Sequence, residues 1–157
     1  MEVSAALKRC DVLLGLNDEA LAKIASLPSC HTGKCEAGAN LFKEGNLAEH
    51  FYLLDEGKVN LIMEATGDPP RSAVVETVTK GGVFGWSALV PPHILTHSAV
   101  CVEPSRVVVI NGEELARLMD NDPSIGYEVM RGLVRVIGSR LRHTQRLFIS
   151  TGRAMIL

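Results

Sequence analysis

The chain has 157 residues, of which 46% are apolar and 22% charged. That balance fits one globular domain with a real core and excludes a disordered tract, a collagen-like repeat or a disulfide miniprotein. Sixteen Lys and Arg against eighteen Asp and Glu leave a net charge of −2, too acidic for a domain that neutralises many phosphates across its surface.

The first 28 residues read as helical. Asn17 is a helix cap, followed by Asp18 and Glu19 where the positive helix end favours anions. Leu16 and Leu21 are placed for a hydrophobic staple, Leu21, Ile24 and Ala25 form an apolar stripe, and Pro28 ends the segment. The amino terminus lacks the basic start and long apolar stretch of a signal peptide, and no apolar run approaches the ~20 residues that span a bilayer. The expectation is a soluble, cytoplasmic protein with no membrane partner. Cys10, Cys30, Cys35 and Cys101 are then read as free thiols. The sharper alternative is a redox or iron–sulfur site on Cys10, Cys30 and Cys35, although no C-x-x-C pair is present.

From 29 to 110 short apolar runs alternate with turn residues. Phe51–Leu54, Val59–Met63, Val74–Val78 and Arg106–Ile110 are separated by Gly-, Asp- and Pro-rich stretches, which argues an antiparallel sandwich or barrel. Asp55-Glu56-Gly57-Lys58 reads as a hairpin tip, with Gly57 supplying a positive φ.

After 110 the pattern turns helical again. Asn111 and Glu114 have capping-box spacing, Ile110 and Leu115 can staple, and Asp122-Pro123 opens a helix predicted to reach about residue 149. On that helix Met130, Ile137, Thr144 and Thr151 interleave with Val134, Leu141, Phe148 and Met155 in a heptad seam. Val129, Leu133 and Val136 form a second stripe. One helix with two stripes implies two partners, its own domain and a second copy of the chain. The alternative is one wide core-facing stripe in a monomer. Arg131, Arg135, Arg140, Arg142, Arg146 and Arg153 read as a solvated helix face rather than a phosphate-binding one.

Gly38-Ala39-Asn40-Leu41-Phe42-Lys43-Glu44-Gly45, Ala48, and Phe51 through Val59 resemble the opening of cyclic nucleotide-binding domains. Gly82-Val83-Phe84-Gly85, Ala88-Leu89 and Ser98-Ala99 continue the likeness, which covers about residues 10–148, the effector domain of catabolite-activator-type regulators. The resemblance implies a mainly β fold: an antiparallel, jelly-roll-like roll of eight strands with flanking helices and a long carboxy-terminal dimerisation helix. The single domain would run over 1–149, with amino-terminal helices in 1–28, the roll in 29–110, a phosphate-binding cassette at 82–99, carboxy-terminal helices in 111–149 and a tail at 150–157.

In that family the cassette holds a cyclic phosphate by backbone N–H groups at a helix amino end and by a bidentate arginine, while a glutamate takes the ribose hydroxyl. Here Phe84, Gly85, Ala88, Leu89, Ser98 and Ala99 match the scaffold, with Ser87 inside it. Trp86 stands at the glutamate position and His97 at the arginine position. An indole accepts no hydrogen bond, and a histidine near its reference pKa of about 6.5 carries no permanent charge at neutral pH. Losing a charge-assisted bond in a pocket costs roughly 2–5 kcal/mol, so cAMP and cGMP are expected to bind weakly or not at all. Two pockets fit these residues. In one, Trp86 stacks on a different nucleotide-like ligand with His97 or Ser98 at its polar edge. In the other, Trp86 fills the space as core. Thr144 matches a polar residue that family members place near the base, and on the seam it would equally set helix register.

Enzyme readings find no support. His31, His50, His93, His97 and His143 contain no His-x-His pair for a cupin-type metal, and neither a Gly-x-Ser-x-Gly elbow nor a phosphate loop occurs. A haem ligand at His93 or His97 is a minor alternative. The residues after 149 are too few for a recognition helix, so no direct DNA binding is expected. The reading is a non-catalytic regulatory module that senses a small ligand or a protein partner as a homodimer, or else a ligand-free scaffold.

Overall fold

The computed structural model describes residues 2–152. Two short helices, α1 (Glu2–Lys8) and α2 (Asp18–Ala25), precede eight strands. These are β1 (His31–Cys35), β2 (Asn40–Phe42), β3 (His50–Glu56), β4 (Val59–Ala65), β5 (Arg71–Val78), β6 (Val83–Phe84), β7 (Ser98–Cys101) and β8 (Ser105–Asn111). A single 3-10 turn, Trp86–Leu89, lies between β6 and β7, and α3 (Gly112–Asn121) and α4 (Pro123–Ser150) close the chain. The strands form two antiparallel sheets in the orders β1-β8-β3-β6 and β2-β7-β4-β5.

The run Val107–Ile110 is unbroken because β8 is buried on both faces. Alternate side chains point to opposite sides of a strand. Val108 and Ile110 therefore join Phe51 and Leu53 of β3 under the helices, while Val107 and Val109 join Leu54, Phe84 and Ala99 between the sheets. The edge strand β5 meets neither core along most of its length and, apart from half-buried Glu76, is exposed until Val78.

Both predicted helix caps form, and two other local signals resolve differently. Asn17 caps α2 by accepting from the Ala20 N–H at 2.9 Å, and Asn111 caps α3 by accepting from Glu114 at 3.0 Å. The return half of the capping box does not form. Ser29 intervenes: its hydroxyl accepts from the Asn111 N–H, and both its own N–H and its hydroxyl donate to the Glu114 carboxylate. The second difference is at Asp55–Lys58, which is a corner between sheets and not a hairpin, since β3 and β4 belong to different sheets. Gly57 does take a positive φ, 97°. The buried Asp55 carboxylate holds the corner by accepting from Arg9 at 2.5 Å and from Arg106 at 2.7 Å.

The cysteines are not all free thiols. Cys35 and Cys101 form a disulfide, whereas Cys10 and Cys30 remain unpaired on the helical side. Cys35 is therefore committed to Cys101, and the set Cys10, Cys30 and Cys35 does not converge.

Val129 and Leu133 pack α4 onto the helix-side core, and Gly132 lets the helix sit against the Val12 carbonyl, where a Cβ would come within 1.9 Å. From Leu141 to Ser150 every residue is exposed, so the last turns of α4 leave the body of the domain. Tyr127, Val134, Leu141 and Phe148 form an exposed stripe at seven-residue spacing. Met130 and Ile137 lie half-buried between this stripe and the core, Thr144 is exposed, and Met155 and Arg153 lie outside the described residues. No described helix is long and apolar enough to cross a membrane.

Candidate functional site

The cassette begins where β6 leaves the sheet. Gly85 has φ 69°, and a Cβ there would come within 2.9 Å of both the His50 carbonyl oxygen and Tyr52 Cδ2. Glycine alone takes that turn at no steric cost. The turn sends Trp86–Leu89 into one 3-10 coil.

Several matched residues prove to be packing. Phe84 is fully buried and stacks on Tyr52 with ring centroids 5.1 Å apart. Ala88 packs with Ala48 and Leu95, Ala99 lies between the sheets, and Leu89 is half-buried against the helix-side core. Ser87 is buried, and its carbonyl is 3.1 Å from His93 Nδ1.

Trp86 is half-buried against the helix-side core while its other edge borders the cassette space. That space, bounded by Phe42, Leu61, Gly85, Trp86, Leu95 and His97 among others, has a cavity volume of about 10 Å³. It has room for about one water and none for a phosphate ester. The Ser98 hydroxyl accepts from the Glu44 N–H at 2.9 Å and is thereby turned toward the β2–β3 loop.

His97 is half-buried, with Nδ1 3.0 Å from the Thr96 hydroxyl. Burial, the largest influence, holds its pKa below the ordinary value; the Glu44 carboxylate opposes this and the Arg140 charge adds to it. The imidazole is thus neutral at pH 7, as the bare sequence position suggests.

The cation of the site comes from α4. Arg140 is not on the solvated face: its side chain is 21% exposed, its Nε lies 2.8 Å from Glu76 Oε1, and it donates to the Val83 carbonyl at 2.6 Å. One residue thereby joins the last helix, the edge strand β5 and the strand leading into the cassette. Arg135 bonds the Asp11 carbonyl from an exposed position, and Arg131, Arg142 and Arg146 are exposed as well. A cleft of about 270 Å³ opens beside Arg140, walled by Val75, Glu76, Ser139, His143 and Thr144. It approaches the lower bound of ordinary small-molecule sites.

Sequence reasoning missed Arg140, Glu76 and Phe42 as site residues. The legible signal was Glu76, a lone acid in the run Val74-Val75-Glu76-Thr77-Val78, together with an arginine one helical turn before Thr144. Among the described residues no group of three or more His, Cys, Asp or Glu is placed to hold a metal ion.

Comparison with known proteins gives a consistent result. The family model for the cyclic nucleotide-binding domain matches residues 33–122. The chain is 26% identical over 98 residues to a cGMP-dependent protein kinase, isozyme 1, of Drosophila melanogaster, and that match spans 62% of this chain and 12% of the kinase. A solved structure from Geobacter metallireducens, described as cyclic nucleotide-binding, superposes with a TM-score of 0.73 at 30% identity, over 87% of this chain and 96% of that one. The regulatory subunit of a cAMP-independent protein kinase A from Trypanosoma brucei, solved as a triple mutant bound to cAMP in its A site, superposes with a TM-score of 0.72 at 18% identity. That alignment covers 91% of this chain and 49% of the subunit.

Proposed function

The chain belongs to the cyclic nucleotide-binding domain family, and from that premise we propose that it is a non-catalytic regulatory module that does not use ordinary cAMP or cGMP as its effector. The observation that carries this reading is the cassette interior: about 10 Å³ of space, beside an imidazole whose charge burial suppresses. A cyclic phosphate needs both volume and a cation there, and the nearest guanidinium, Arg140, is already engaged by Glu76 and the Val83 carbonyl. The trypanosome subunit supports the reading, since it belongs to a kinase named as cAMP-independent and its cAMP-bound form is a mutant.

A small planar, nucleotide-like ligand fits the cleft between α4 and β5 better. His143, Thr144 and Ser139 supply donors and acceptors at its edge, beside the engaged Arg140–Glu76 pair. Such a ligand would bias α4. Dimer formation through Tyr127, Val134, Leu141 and Phe148 would carry that bias to a downstream protein.

Calorimetric titration with cAMP, cGMP and a panel of cyclic dinucleotides and nucleobase derivatives tests the proposal, with Trp86 fluorescence read in parallel. The expected result is a millimolar or absent response to cAMP and cGMP and a tighter response to another member of the panel. Micromolar cAMP binding overturns the reading. Silence across the panel favours a ligand-free dimerisation scaffold, for which the filled cassette is the supporting observation.

A further inference from the structure

The Cys35–Cys101 disulfide joins the two sheets. Cys35 ends β1 in one sheet, Cys101 ends β7 in the other, and 66 residues separate them in sequence. β7 starts at Ser98, in the cassette, so the bond clamps the far end of the strand that carries the cassette's second half. Backbone bonds hold the same end: the Gly38 N–H donates to the Cys101 carbonyl at 2.7 Å, and the Cys101 N–H donates to the Ala39 carbonyl at 2.9 Å.

The two sulfurs are not equivalent. Cys101 is 1% exposed between the sheets, among Phe84, Ala99 and Val107, whereas Cys35 is only half-buried on an edge strand. A thiol from solvent therefore reaches Cys35 first. The other two cysteines do not compete. Cys10 and Cys30 lie in or against the separate helix-side core, and burial pushes their thiols up to about 12 and about 11. Protonated thiols do not exchange.

We propose that Cys35–Cys101 is a thiol–disulfide modification site at which small-molecule thiols and disulfides set how tightly the cassette strand is held. In the opening direction a glutathione-type thiolate attacks Cys35 Sγ. A mixed disulfide forms, the Cys35–Cys101 bond breaks, and the electron pair leaves on Cys101 Sγ, which takes a proton from water. A second thiolate then attacks the outer sulfur of the mixed disulfide. It releases Cys35 as a thiolate and leaves with the first thiol as a small-molecule disulfide, two electrons having passed to the protein. Closing runs the same steps in reverse with that small-molecule disulfide as oxidant. Once open, β7 keeps its backbone bonds to β2 and β4 but loses its covalent tie to the sheet that carries β6 and Gly85.

The experiment uses the full chain and needs no nucleotide, so its failure is distinct from failure of the ligand reading above. Air-oxidised protein, denatured without reductant and alkylated, takes up two labels, and prior reduction raises this to four; four labels without reductant overturn the proposal. Exposure of the folded protein to oxidised and reduced glutathione places the adduct on Cys35, and a bond that opens only on unfolding also overturns it. Amide hydrogen exchange in β2 and β7 speeds about tenfold in the reduced chain while β1–β8 pairing near His31 stays protected. The melting midpoint falls by about 10 °C, as expected for releasing a long closed loop. The double variant Cys35→Ser, Cys101→Ser reproduces the reduced state and is blind to glutathione. Should that variant fail to fold, reduced wild type supplies the same readouts, and unchanged exchange in β7 after reduction refutes the coupling.

Discussion

Arg140 Nε lies 2.8 Å from Glu76 Oε1, and this contact pins the middle of α4 to the edge strand β5. Everything beyond it on the helix, from Leu141 to Ser150, is exposed. The pair is the last anchor of the helix on its own domain, placed beside the cleft where a ligand would act.

Arg140→Gln and Glu76→Gln are each expected to lower stability by roughly 1 kcal/mol, because a partly exposed pair is screened and contributes little more. A double-mutant cycle by denaturant unfolding should return a coupling of about 0.5–1 kcal/mol. The sharper readout is exchange at 137–144, which should rise in both variants. A protected helix in Arg140→Gln would remove this pair as the anchor.

Reversing the cassette tests the charge argument directly. Trp86→Glu with His97→Arg restores a ribose acceptor and a permanent cation, and replacing the indole opens space next to Gly85. Calorimetry should show cAMP binding tightened at least ~30-fold over the parent, since a charge-assisted bond in a pocket is worth roughly 2–5 kcal/mol. His97→Arg alone should recover less, because the Trp86 ring still closes the space.

The exposed stripe on α4 makes a prediction about assembly. Sedimentation of the parent chain should show a dimer at micromolar concentration, and Val134→Glu, at a position 68% exposed within one chain, should weaken it by about a hundredfold. Thermal stability of the monomer should hold, since Val134 touches neither core. Arg142→Glu, off the seam, should leave the dimer intact.

Stability should fall with acid in two steps. Burial holds the His97 pKa below its ordinary 6.5, so the fold favours the neutral ring, and stability should be highest above that pH and decline as pH falls through it. His97→Gln removes this step. Three carboxylates set the lower one, and in Glu114 the Ser29 hydroxyl and then its N–H hold the carboxyl below the ordinary value. Burial alone would raise the Asp55 carboxyl, but hydrogen bonds and charge from Arg9 and Arg106 outweigh it and hold it below the ordinary value. The Ser124 hydroxyl first, then Lys23, pulls Asp122 down to about 2. All three groups stabilise the ionised fold above the unfolded carboxylate range, so that stability is lost as pH drops from about 4 toward 2. Urea unfolding at a series of pH values measures both steps, and Asp55→Asn should blunt the second.

The sequence by itself determined whatever depends on neighbours a few residues apart. The Asn17 and Asn111 caps, the apolar run of β8, the positive φ of Gly57 and the length of α4 all follow from local periodicity and turn chemistry. The substitutions at Trp86 and His97 were legible for the same reason, since each stands at a fixed offset from Gly85 or Ser98. Only the tertiary structure decided which distant groups meet. Asp55–Lys58 looked like a hairpin because a glycine turn has the same local signature whether its flanking strands pair with each other or enter different sheets. Cys35 and Cys101 looked like free thiols because nothing near either one announces a partner 66 residues away. Arg140 looked solvated because one-dimensional spacing places it on a helix face without saying that β5 and Glu76 would lie beneath that face. Long-range pairing is set by how two sheets and a helix close on a shared core, and no short window of residues contains that closure.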